Sequence, residues 1–230
     1  MRTIVFDTGP IISLAMNNLL SVISKLKNSF NGEFYITPAV KKEAIDRPLE
    51  SKKFKFEAIQ VFKELQNGSF KIYPNNMDQI AEELLKIANN TFKAQGNYIQ
   101  IVHYAEMEVV AAAITLGANA VVIDERTTRL LIENPILIKE RLEKKLHVNV
   151  EINKENLNEI KKRLQGMIVL RSVELVTIAY EKGYLNDYVL KEVKQPRKEL
   201  LTAVLWGVKL SGCSVSEDEI DNLLRFENTS

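Results

Sequence analysis

Residues 1–16, MRTIVFDTGPIISLAM, decide how the rest of the chain is read. Ile4, Val5 and Phe6 form a short apolar run that ends on an acid, Asp7, followed at once by Thr8-Gly9-Pro10 and a second apolar run. A few apolar residues bounded by Gly and Pro predict a buried strand. Pro10 suits the first turn of a helix, where its missing N–H costs nothing. Asp7 is therefore expected at the carboxyl end of a strand, where open α/β sheets place their ligand crevices. Alone it reads equally well as a helix N-cap.

Working outward, 11–30 carries apolar residues at helical spacing and predicts two helices broken near Asn17-Asn18. A strand at Phe34-Tyr35-Ile36 meets Thr37, an N-cap, and Pro38, which opens a helix carrying Glu43. Helices are expected over 54–66 and 77–90, with a strand over 69–73, and 91–104 is mixed. The Ala-rich block 105–117, AEMEVVAAAITLG, predicts a packed helix closed by Gly117. Val121-Val122-Ile123 then repeats the opening pattern, an apolar strand ending on Asp124, before another helix. Alternating strands and helices imply a mostly parallel sheet covered by helices. From about residue 136 the pattern turns Lys/Glu-rich and helical, with an edge strand near 148–152, and 167–226 reads as all-helical. The expected division is an α/β core over 1–150 and a helical extension over 151–230.

Composition narrows the chemistry. The 230 residues carry 31 basic and 30 acidic side chains, a net charge of +1 that points to no partner by itself. The lone Cys213 excludes an internal disulfide and a cysteine-based zinc site; it and Trp206 sit at apolar helical positions and read as core. His103 and His147 are too few for a histidine-rich metal site. Any metal would be held by carboxylates. No apolar run approaches the roughly 18 residues of a membrane span, and Asp7 interrupts any signal-peptide pattern. The chain is expected to be soluble and cytoplasmic.

Asp7, Asp124, Glu106 and Glu43 invite a common explanation. Glu106 lies on the stripe defined by Val109, Val110, Ala113 and Gly117, a costly place for a carboxylate that is neither paired nor metal-bound. Glu108 projects to the far flank of an ideal helix. Glu43 follows two lysines and also fits an exposed surface. Carboxylates within about 4 Å repel by roughly 4 kcal/mol per pair at an effective dielectric near 20. A hard cation such as Mg²⁺ or Mn²⁺ relieves that repulsion and activates water.

These segments, in order, resemble the PIN-domain ribonucleases. Phe6-Asp7-Thr8-Gly9-Pro10-Ile11 is similar to the family's first motif, Thr37 to Glu43 to its second, Ala105 to Ala111 to its third, and Val122 to Arg129 to its fourth. Ala105 stands where a Gly is usual, and 134–165 resembles an insertion. The resemblance implies a three-layer α/β/α PIN-like fold with a C-terminal helical extension. It also implies a Mg²⁺- or Mn²⁺-dependent endoribonuclease acting on single-stranded RNA. Carried over residue by residue, Asp7, Glu43, Glu106 and Asp124 are the catalytic metal ligands, with Glu108 an additional ligand candidate. Thr8, Arg126 and Arg129 are candidates for contact with RNA phosphate; Arg126 and Arg129 share a helix face. The resemblance further implies a homodimer and leaves open an antitoxin protein as partner. The alternative is a catalytically silent module that binds RNA or protein. Asp-Thr-Gly also occurs in aspartic proteases, but those are all-β, and the Asp-x-Asp of phosphotransferases fails at Gly9.

Overall fold

The computed structural model describes residues 2–74 and 76–227. In chain order it forms β1 (Arg2–Phe6), α1 (Thr8–Met16), α2 (Val22–Phe30), β2 (Gly32–Ile36) and α3 (Pro38–Lys41). A π-helical turn, Lys42–Asp46, joins α3 to α4 (Arg47–Glu50), followed by α5 (Lys55–Gln66), β3 (Lys71–Ile72) and α6 (Asp78–Asn89). Next come β4 (Phe92–Ala94), β5 (Asn97–Tyr98), α7 (Tyr104–Leu116), β6 (Ala120–Val122), α8 (Arg126–Glu133) and α9 (Ile136–Leu146). The remainder is β7 (Val150–Ile152), α10 (Lys154–Leu164), β8 (Val169–Leu170), α11 (Ser172–Glu181), a 3-10 turn, α12 (Pro196–Leu210) and α13 (Glu217–Glu227). None of the described helices is long and apolar enough to cross a membrane.

The central sheet is parallel throughout, in the order β3-β2-β1-β6-β8. Its central strand, β1, is the sequence's opening run, with Val5 and Phe6 fully buried between β2 and β6. Phe6 packs its ring 5.0 Å from Phe34 and 5.2 Å from Phe70, locking β1 to β2 and to the segment before β3. Helices cover both faces, giving the expected three layers. α7 packs on β1 and β6 and beside α6, while α1 packs with α11 and α12. The break between α1 and α2, the Thr37 cap with Pro38 at the first helical position, and the left-handed Gly117 that ends α7 all follow the sequence reading.

One reading needs correction. The segment 167–226 is not all-helical. Val169 and Leu170 pair in parallel with Val121 and Val122 as a fifth strand of the main sheet. Three or four apolar residues between helices carry no periodicity of their own, so the strand was hidden. The chain beyond 150 thus completes the central sheet. The insertion-like stretch, for its part, docks by strand pairing: β7 joins β4 and β5 in a small antiparallel sheet.

Candidate active site at the carboxyl edge of the sheet

β1 delivers Asp7 to the middle of the sheet's carboxyl edge, where its backbone amide donates to the Val122 carbonyl at 3.0 Å. Asp7 occupies the N-cap position of α1, yet its side chain makes no capping hydrogen bond. Only 7% of Asp7 is exposed. Burial pushes its carboxyl up to about 7, the charges of Glu106 and Glu43 add to the rise, and the amides of Thr8 and Gly9 partly oppose it. Gly9 keeps this ground open. A β-carbon there would lie 3.4 Å from the Asp124 β-carbon and 3.7 Å from Asp7 Oδ2.

Glu43 enters from the π turn. A π turn re-aims side chains relative to an α-helix and is frequent at functional sites. Here Glu43 Oε2 accepts the Thr8 hydroxyl at 3.1 Å, so Thr8 ties the first motif to the second. Glu106, in the first turn of α7, accepts the backbone amide of His103. Its pKa is raised chiefly by burial, with the charges of Glu125 and Glu43 adding. Asp7, Glu43 and Glu106 therefore share one electrostatic neighbourhood. Glu125, absent from the sequence-derived set, borders it. Glu125 accepts the Thr128 amide at 2.6 Å and so caps α8.

Asp124 is held differently. It is 2% exposed, and its oxygens face inward. Oδ1 accepts the Ser172 amide at 2.7 Å, and Oδ2 accepts the hydroxyls of Ser172 at 2.8 Å and Ser13 at 3.0 Å. Burial raises its pKa, while these bonds and the Cys213 thiol lower it. Burial beside Asp124 pushes that thiol up to about 12. Asp124 thus takes the first amide of α11 and does not cap α8, the helix that follows it in sequence, where Glu125 is the cap. Ser13 and Ser172 were missed by the sequence reading. Ser13, a hydroxyl set among Ile11, Ile12, Leu14 and Ala15, was the available signal.

Glu108 is corrected. It is 5% exposed, not on an outer flank, and its Oε2 accepts the Ala39 amide at 2.8 Å at the start of α3. Residues 107–113 of α7 are buried all round, so the stripe that placed Glu108 outside is too narrow a description of this helix. The two arginines also diverge. Arg126 is exposed and donates from Nε to the Ser214 hydroxyl at 3.1 Å. Arg129 approaches Glu133 at 3.6 Å, and its buried Nε has no hydrogen-bond partner among the described residues.

The donor chemistry fits a hard divalent cation: an all-oxygen set, with the buried Asp7 carboxyl held near neutrality beside negative charges. The ligand geometry is not closed, since no three acid, histidine or cysteine side chains among the described residues are grouped tightly enough to hold one ion.

A family model described as the PIN domain matches residues 3–135, more than half of the chain. The chain belongs to the PIN-domain family, whose fold is of the nuclease type and whose members generally use divalent metals. No curated protein and no solved structure matches it.

Proposed function

We propose that the protein is a Mg²⁺- or Mn²⁺-dependent endoribonuclease that hydrolyses phosphodiester bonds of single-stranded RNA. The observation that supports it most is Asp7, a buried carboxyl at the centre of the sheet edge. It is pushed up to about 7, and the charges acting on it most strongly, Glu106 and Glu43, are negative. Such a group is costly to keep unless a cation is part of the working state.

Asp7, Glu43 and Glu106 would hold the cation after closing further on one another than they stand here. When bound, it lowers the pKa of an attacking water and neutralises charge gathering on the phosphate. Thr8 holds the Glu43 carboxylate through its hydroxyl. Asp124, its oxygens already taken by Ser13 and Ser172, acts as a positioning residue that fixes the end of β6 beside Asp7. Gly9 leaves the space between these acids open.

The test is cleavage of a labelled single-stranded RNA with Mn²⁺, wild type beside Asp7→Asn. Loss of cleavage in the variant supports the assignment, and equal activity in both sinks it. Cleavage by neither, with RNA still bound, favours the silent binding module.

A further inference from the structure

A cleft of about 260 Å³ lies between the loop that leads into α7 and the α8–α9 pair. Its apolar walls come from Ile99, Ile101 and Leu130, and Gln100, Arg141 and Lys145 supply polar groups at its rim. It is small beside the 300–1,000 Å³ of pockets for drug-sized ligands, so it suits one residue of a longer ligand. Two hydrogen-bonded links tie its walls to residues of the acid cluster. The Gln100 side-chain amide lies 3.2 Å from His103 Nδ1, and the His103 backbone amide is held by Glu106. On the opposite side Thr127, which lines the cleft, sits in the turn capped by Glu125.

Arg141 and Lys145 are one turn apart on α9, so they present two positive charges on one face. Both are exposed, and among the described residues neither is ion-paired, whereas Lys139 on the same helix pairs with Glu143 at 3.5 Å. Two unpaired cations beside an apolar slot, whose walls are hydrogen-bonded to residues of the acid cluster, complement a phosphodiester strand with a base to bury. α9 also lies beyond residues 3–135, the span shared with the family.

We infer that this cleft is a nucleotide subsite: it takes one base of single-stranded RNA next to the scissile bond, with Arg141 and Lys145 on the adjoining phosphates. The inference deepens the nuclease reading and rests on it for the identity of the strand. The insertion-borne wall then sets where along the RNA the acids act.

The experiment measures binding of a labelled single-stranded RNA, by fluorescence anisotropy over a salt series, in the Asp7→Asn background so that the probe stays intact. Arg141→Ala/Lys145→Ala is compared with Lys139→Ala/Lys144→Ala, which removes equal charge from α9 away from the cleft. The expected result is at least tenfold weaker binding for the first pair only. Its log–log salt slope should be shallower by about 1 to 1.5, the signature of two lost phosphate contacts on a single strand. With Asp7 intact, the first pair should cleave RNA poorly yet hydrolyse bis(p-nitrophenyl) phosphate, which is too small to reach the cleft, at the wild-type rate. Unchanged affinity and slope, or equal loss in both pairs, overturns the subsite. A wild type that cuts no RNA but binds it through Arg141 and Lys145 keeps the subsite and refutes the nuclease.

Discussion

Asp124 and Ser172, 48 residues apart, are joined twice, the carboxylate accepting both the backbone amide and the hydroxyl of the serine. Ser13 adds a third bond from α1. Asp124→Ala strands several buried donors and is expected to cost about 2–4 kcal/mol, whereas Ser172→Ala, which leaves the amide bond, should cost about 1 kcal/mol. Urea denaturation measures both. If Asp124 positions and does not ligate, Ser172→Ala should leave Mn²⁺ affinity within about twofold.

Asp7 makes stability fall as pH rises. Its carboxyl titrates near 3.8 when unfolded and about 7 when folded, so between those values the folded state binds more protons. The slope of unfolding free energy against pH is therefore negative across that window. At roughly 1.36 kcal/mol per pKa unit the cost of the ionised form approaches about 4 kcal/mol above pH 7. Asp7→Asn should therefore raise the melting temperature at pH 8 and change it little at pH 4. No gain at pH 8 would remove the physical basis of the metal reading.

Metal binding should show the same group from the other side. A cation displaces the Asp7 proton, so its apparent affinity grows with pH until Asp7 is ionised in the free protein. The Mn²⁺-induced thermal shift is expected to be larger at pH 8 than at pH 6. EDTA should abolish it. A shift that ignores pH, or persists in Asp7→Asn, would place the ion elsewhere.

Glu106 and Glu108, two residues apart, should separate by phenotype. Glu108 bonds the Ala39 amide from within the core, so Glu108→Ala should cost about 1–2 kcal/mol of stability. Glu106→Gln keeps the volume and removes the charge facing Asp7. It should abolish the Mn²⁺ shift while folding normally. Identical behaviour of the two variants would contradict this division.

Thr8→Val removes only the hydroxyl that holds Glu43. The expected outcome is a modest stability change, within about 1 kcal/mol, together with weaker Mn²⁺ binding and a larger loss of RNA cleavage than of RNA binding. Equal loss of cleavage and binding would mean that Thr8 contacts the strand directly.

What could be read from the sequence follows from how local each signal is. The strand carrying Asp7 and the Thr37–Pro38 helix start are written in adjacent residues, and both appear where expected. Glu108 was misplaced because α7 is enclosed on all sides, and a helix buried all round has no polar face from which to read direction. β8 was missed because Val169 and Leu170 become a strand only by pairing with β6. Ser172 and Ser13 draw their meaning from Asp124, across 48 and 111 positions, and no local pattern encodes such a partnership. The π turn that presents Glu43 likewise depends on how α3 and α4 are packed, not on composition.

The order β3-β2-β1-β6-β8 leaves the main sheet with two edges, and each is only two residues long, Lys71–Ile72 and Val169–Leu170. Long exposed edges invite another chain to add a strand and begin aggregation, and very short ones offer too few free amides and carbonyls to template it. The strand contributed by the last third of the chain thus also terminates the sheet. A second copy of the chain would accordingly find little free edge on the main sheet to which it could add a strand.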